Sequence, residues 1–193
     1  IENEPVVELV NNREREYIFA DLPDIGYSTD IDTVMASSYQ VKKQLQQIVK
    51  IEQPITNTLL YKRILRIWNL TRVTTRLQVF IDNLLEDAYK DPLSGDTIIY
   101  WEDEEKAKDC DFYRINSKRD ILDIPILEVM SAARYAIEQQ ISMPTEDLKR
   151  LTSQLLGFSR KGNNLDMVTE QTIQLLIDQG IFSHANGMVS MNN

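Results

Sequence analysis

Apolar residues recur along most of this chain at helical spacing. Val41, Leu45, Ile48 and Val49 fall at i, i+4, i+7 and i+8, which predicts a first helix over 41–52. Pro54 suits the opening turn of a second, since its missing N–H would be unpaired there anyway, and Leu60, Ile64, Ile67 and Trp68 carry the stripe to Trp68. Thr71, in the short "NLT" connection, is expected to cap a third helix whose buried face is Val73, Leu77, Phe80, Ile81 and Leu84. Two helices joined so tightly make a helix-turn-helix. After the turn signal "DPLSG" come two β-prone runs, "DTIIYW" and "DFYRIN", expected to pair as a hairpin with the acidic stretch between them at its tip. Helix, helix-turn-helix and hairpin is the order of a winged helix.

The helical pattern restarts after residue 119. Ile126, Val129, Met130, Ala133 and Ile137 lie on one face behind Pro125; Leu148, Leu151, Leu155 and Leu156 follow Thr145, a candidate cap, and stop at Gly157; Leu165, Val168, Ile173, Leu176 and Ile177 precede Gly180. The fold class expected is therefore mostly α with a small β-hairpin. It divides into an acidic extended leader over 1–40, holding one or two strands in "PVVELV" and "EYIFADLP", a winged-helix-like domain over 41–118, a three-helix, helix-turn-helix-like domain over 119–182, and a patternless tail over 183–193.

Charge sharpens this picture. The 193 residues carry a net charge of −9, unevenly placed. Residues 1–32 hold nine acids against two arginines, and "WEDEEKAKDCD" holds six acids against two lysines. Between them, residues 54–81 carry Lys62, Arg63, Arg66, Arg72 and Arg76 and no acid. Exposed charges interact over about 10 Å at ordinary salt, so an acidic chain can still present one basic face. Arg72, Thr75 and Arg76 lie off the buried stripe of the third helix, where recognition-helix side chains meet phosphate. The same residues read equally as a solvated face or as partners of the acidic leader. Arg160 and Lys161, in the "FSRKGNN" loop, form a second basic spot able to hold an anion beside a helix start. An acidic wing tip would be repelled by a phosphate backbone, so DNA contact is expected from the helices. Trp68 belongs to the apolar stripe; Trp101 is open to core or base-stacking roles.

The run "EQPITNTLLYKRILRIWNLTRVTTRLQ", with "IPILEVMSAARYAI" and "PTEDLKRLTSQLLGFSRKGNNLDMVTEQTIQLLIDQGIF", resembles a domain family of unassigned function at the carboxyl end of large bacterial and archaeal superfamily I helicase-like proteins, often near a nuclease-like module. The resemblance covers most of 45–182 and is absent from the leader. It implies an appendage of a DNA-processing ATPase and supplies no catalytic residues.

Chemistry of other kinds finds little support. No phosphate-binding Gly-x-x-x-x-Gly-Lys-Ser/Thr loop is present, so any motor lies in a parent chain. Cys110 is the single cysteine and His184 the single histidine, which excludes an internal disulfide and a Cys/His zinc site; no metal, cofactor or enzymatic activity is expected. Apolar runs fall short of the roughly eighteen residues that span a bilayer, which points to a cytoplasmic protein without membrane contact. The opening on Ile1 reads as a piece cut from something longer. The functional expectation is a non-catalytic accessory region of a helicase-like protein that binds or positions DNA, with DNA and the helicase/ATPase core as partners. The alternative is a protein-protein docking module without DNA binding.

Overall fold

The computed structural model describes residues 11–93, 95–115 and 118–192. It is a mixed α/β structure, about half helical with three small sheets, rather than a mostly α one with a single hairpin. The predicted strand in "PVVELV" lies outside the described residues. Among the described residues no helix is long and apolar enough to cross a membrane.

The first half is built from α1 (Ile31–Ala36), α2 (Ser38–Glu52), β2 (Ile55–Thr56), α3 (Asn57–Ile67), α4 (Thr75–Leu84), β3 (Tyr89–Lys90) and β4 (Ile99–Trp101). Its sheet order is β2-β4-β3, antiparallel throughout. Val41, Leu45, Ile48, Leu60, Ile64, Leu77 and Ile81 pack in one buried cluster, as their periodicity predicts. Two boundaries differ from expectation. Pro54 precedes a strand instead of opening a helix, and α3 begins at Asn57, where the Thr56 hydroxyl accepts from the Leu59 N–H at 3.3 Å. The cap of α4 is Thr74, not Thr71: its hydroxyl accepts from the Leu77 N–H at 3.2 Å. Leu77 is the first fully buried side chain of that helix, and a cap three residues before it satisfies an N–H that would otherwise be lost.

The hairpin is also not the one predicted. β3 pairs with β4, so its loop is residues 91–98, while the acidic stretch forms a short helix, α5 (Glu104–Lys108), capped by Asp103. The second β-prone run, β5 (Tyr113–Ile115), pairs in parallel with β1 (Glu14–Glu16) from the leader. A pairing between segments about a hundred residues apart leaves no local trace in the sequence.

The second half contains α6 (Ile126–Glu138), β6 (Met143–Pro144), α7 (Thr145–Leu155), α8 (Asn163–Asp178), β7 (Phe182–Ala185) and β8 (Met188–Met191). Where a patternless tail is expected over 183–193, residues 182–191 form a β-hairpin turning on Asn186 and Gly187, both at positive φ (53° and 75°), and β8 pairs with both β6 and β7. Phe182 and Val189 from this hairpin are buried with Ile137, Leu148, Ile173 and Leu176. Thr145 does not cap α7 by side chain; it is the first helical residue, and its hydroxyl donates to the Gly187 carbonyl at 3.4 Å. The two halves therefore repeat one order, helix, strand, helix, helix, strand, strand, and one sheet order, first-third-second.

Candidate nucleic-acid interface

The repeat extends to the turn between the second and third helices of each half. In the first, Trp68, Asn69 and Leu70 donate to the carbonyls of Ile64, Arg66 and Leu65 at 2.9, 3.2 and 2.9 Å. In the second, Leu156, Gly157 and Phe158 donate to Thr152, Gln154 and Ser153 at 3.1, 2.9 and 3.0 Å. Asn69 (φ 47°) and Gly157 (φ 88°) take the left-handed conformation that ends a helix in this way. Leu70 and Phe158 are half-buried anchors. Thr74 and Gly162 then stand at the N-cap of α4 and α8, and Leu77 and Leu165 are each the third helical residue and buried. On this register Arg72 and Arg160 occupy the same position.

The five basic residues of the first half do not form one free surface. Arg63 is buried: its guanidinium pairs with the fully buried Glu52, its Nε donating to Oε2 at 3.2 Å, and the Phe19 ring lies 3.2 Å from it. Lys62 is exposed along its stem, but its Nζ donates to both oxygens of the buried Asp123, at 2.7 and 2.6 Å. Arg76, exposed near the start of α4, pairs with Asp32 of α1 at 2.8 Å, with both side chains largely in solvent. Arg66 is exposed, 5.4 Å from the Phe19 ring. Arg72 and Thr75 are exposed, and Arg72 makes no ion pair among the described residues. The exposed set is thus Arg66, Arg72, Thr75 and Arg76, with Lys62 beside it.

The leader accounts for much of this sorting. Tyr17 donates to Glu52, the Ala20 N–H donates to the same carboxylate at 3.0 Å, Ile25 N–H donates to the Ile67 carbonyl at 2.9 Å, and Thr29 donates to the Trp68 carbonyl. Burial and then the neighbouring Glu52 carboxylate push the Tyr17 phenol well above its ordinary range. Residues 17–32 therefore lie along the end of α3, cover Arg63 and reach Arg76, and leave Arg72 open.

In the second half Arg160 and Lys161 are exposed in the turn and make no ion pair among the described residues. The third helix here is acidic on its outer side: Asp166 and Glu170 flank Lys149 at 2.6 and 3.7 Å. Neither tryptophan offers a stacking platform. Both are buried, with Trp68 Nε1 donating to Gln44 and Trp101 Nε1 to Asp91, each at 2.9 Å. Burial pushes the Cys110 thiol up to about 12, with Glu128 adding to the shift.

Residues 36–79 match a family described only as a protein of unknown function (DUF3320). The matched stretch runs from the end of α1 to Val79 in α4 and so includes the Arg72 turn. No curated protein and no solved structure matches the chain.

Proposed function

We propose that each half is a winged-helix unit and that the chain is a non-catalytic accessory region of a superfamily I helicase-like protein, binding or positioning DNA through the first unit. The order of elements and the first-third-second sheet support the winged-helix reading of both halves. The observation that carries the DNA reading is Arg72, exposed and without an ion pair among the described residues, in the turn before α4, with Arg66 and Arg76 on either side of it in the chain. Side chains there reach the backbone of a duplex when the following helix approaches a groove. Three or four such contacts give binding of modest strength that falls steeply with salt, since log K changes by about 0.9 per phosphate for each decade of salt. Lys62 contributes only by exchanging Asp123 for a phosphate. The wing loop at 91–98 holds Asp91 and Asp96 and no basic residue, so the helices carry the contact.

A docking module without DNA binding is the second reading, favoured by the placement of Phe19 and Asp32 against Arg63 and Arg76. Fluorescence anisotropy of labelled duplex and single-stranded DNA at two salt concentrations, on this chain and on an Arg72→Glu/Arg76→Glu variant, separates the two. Salt-sensitive binding that the variant loses supports the DNA reading. A folded wild-type chain that binds neither DNA at low salt sinks it and leaves the helicase core or another protein as the partner.

A further inference from the structure

The two helix-turn-helix turns can be compared residue by residue because both run from a left-handed residue to an N-cap over the same length, 69–74 and 157–162. Each position has a structural demand that different residues meet. Asn69 and Gly157 supply the positive φ, Leu70 and Phe158 the half-buried anchor, Thr74 and Gly162 the extended N-cap backbone. Thr71 and Ser159 each place a hydroxyl next in line. The single identical side chain is the arginine, Arg72 and Arg160, and nothing in the backbone of the turn demands it. Both guanidinium groups are exposed and neither has a counter-ion among the described residues.

We propose that the turn at 157–162 is a second contact for a nucleic-acid phosphate backbone, the counterpart of the Arg72 turn, in which Arg160 takes the part of Arg72 and Lys161 adds a further charge. This rests on the DNA reading of the first unit. The contact differs from the first in extent. α4 continues the basic surface with Arg76, whereas α8 carries Asn164 at the matching place and then Asp166 and Glu170. The acidic outer side of α8 is repelled by phosphate, so the second unit meets the backbone through its turn alone and its third helix stays out of the groove. The open cleft of about 660 Å³ that Arg160 and Lys161 line is lined also by Glu146, Asp147 and Asp166, with Arg150 paired to Asp147 at 3.0 Å, so the phosphate is met by the exposed turn and not inside the cleft.

The test is the salt dependence of binding of the full chain to a labelled duplex of about 30 base pairs, three helical turns. An Arg160→Gln/Lys161→Gln variant and an Arg72→Gln/Arg76→Gln variant are compared with wild type, all checked for fold by circular dichroism. Loss of two phosphate contacts lowers the slope of log K against log salt by about 2, and each variant is expected to show it, with about tenfold weaker binding at low salt. A wild-type slope and affinity for the Arg160/Lys161 variant, beside weakened binding of the Arg72/Arg76 variant, overturns the second contact and leaves the first unit's role standing. Absence of binding by the wild type removes both. Arg160→Lys, which keeps the charge, is expected to retain the slope; its loss in that variant would mean the turn acts by shape and would also overturn the phosphate contact.

Discussion

Arg114 joins the two halves of the chain to each other through Glu128. Its Nη2 donates to Glu128 Oε1 at 2.5 Å and to the Pro54 carbonyl at 2.6 Å, while Nη1 donates to the carbonyls of Glu52 and Gln53 at 2.7 and 3.2 Å. One guanidinium thus closes the end of α2 in the first half and holds the start of α6 in the second. Arg119 donates to both oxygens of the same carboxylate, Nη1 to Oε1 at 2.7 Å and Nη2 to Oε2 at 2.9 Å, and the Arg114 N–H also donates to Oε2 at 2.9 Å. Burial alone would raise the Glu128 carboxyl, but the two guanidinium groups more than offset this and hold it at about 2.

Glu128→Gln keeps the shape and removes the negative charge between two buried guanidinium groups. The expected loss is about 3–5 kcal/mol, a fall of about 10 °C in Tm for a protein of this size. The pH dependence follows from the lowered value: the stabilisation is complete above the ordinary 4.5 and is lost as pH falls towards 2. Acid unfolding of the variant is expected to be shallower across that window. A variant whose stability parallels wild type from pH 5 to about 2 would show that Glu128 is not the anion that matters.

Asp32→Asn releases Arg76 from its exposed pair. An ion pair in solvent contributes little to stability, so Tm is expected to stay within about 1–2 °C of wild type. On the DNA reading, duplex affinity rises by several-fold at low salt and the gain fades as salt is added, because one anion has been removed from beside the contact. Unchanged affinity, measured by the same anisotropy titration, would place Arg76 outside the contact.

The apolar stripes were legible because helix packing is local: Leu45, Ile48, Leu60, Ile64, Leu77, Ile81, Leu148 and Leu176 are buried where the periodicity puts them. Thr71 and Thr74 could each have capped α4 by chemistry alone, and the choice was made by Asn69 and Leu70, whose closure of α3 uses up the intervening residues. The last hairpin does carry a local signal. Asn186-Gly187 between "FSHA" and "MVSM" is a two-residue turn sequence flanked by alternating residues. The β1-β5 pairing and the burial of Arg63 had no such signal, because both depend on the leader lying across distant elements. Of the basic residues, sequence spacing identified the cluster but could not sort Arg63, held by Glu52, from Arg72, which faces solvent. The equivalence of Arg72 and Arg160 was hidden because every other position of the two turns is filled by a different residue.

Thr152 stands in α7 where Ile64 stands in α3, counting back from Gly157 and Asn69. It is fully buried and its hydroxyl has no hydrogen-bond partner among the described residues. Thr152→Val removes an unsatisfied polar group and keeps the volume, so a gain of about 1 kcal/mol is expected in denaturant unfolding. A loss of stability would mean that the hydroxyl is satisfied in solution, by a water or a rotated partner.

Deleting residues 182–193 tests whether the last hairpin belongs to the second core. Phe182 and Val189, almost without exposure, pack with Ile137, Leu148, Ile173 and Leu176, and β8 is the central strand between β6 and β7. Removing it strips two core side chains and leaves β6 without a partner, at a cost of roughly 2–5 kcal/mol for each large apolar side chain lost. The expected result is a second half that unfolds separately, seen as a biphasic denaturation curve and rapid amide exchange in α7 and α8, with α2 to α4 still protected. A single transition at the wild-type midpoint would instead show a hairpin that rests on the second core without helping to close it.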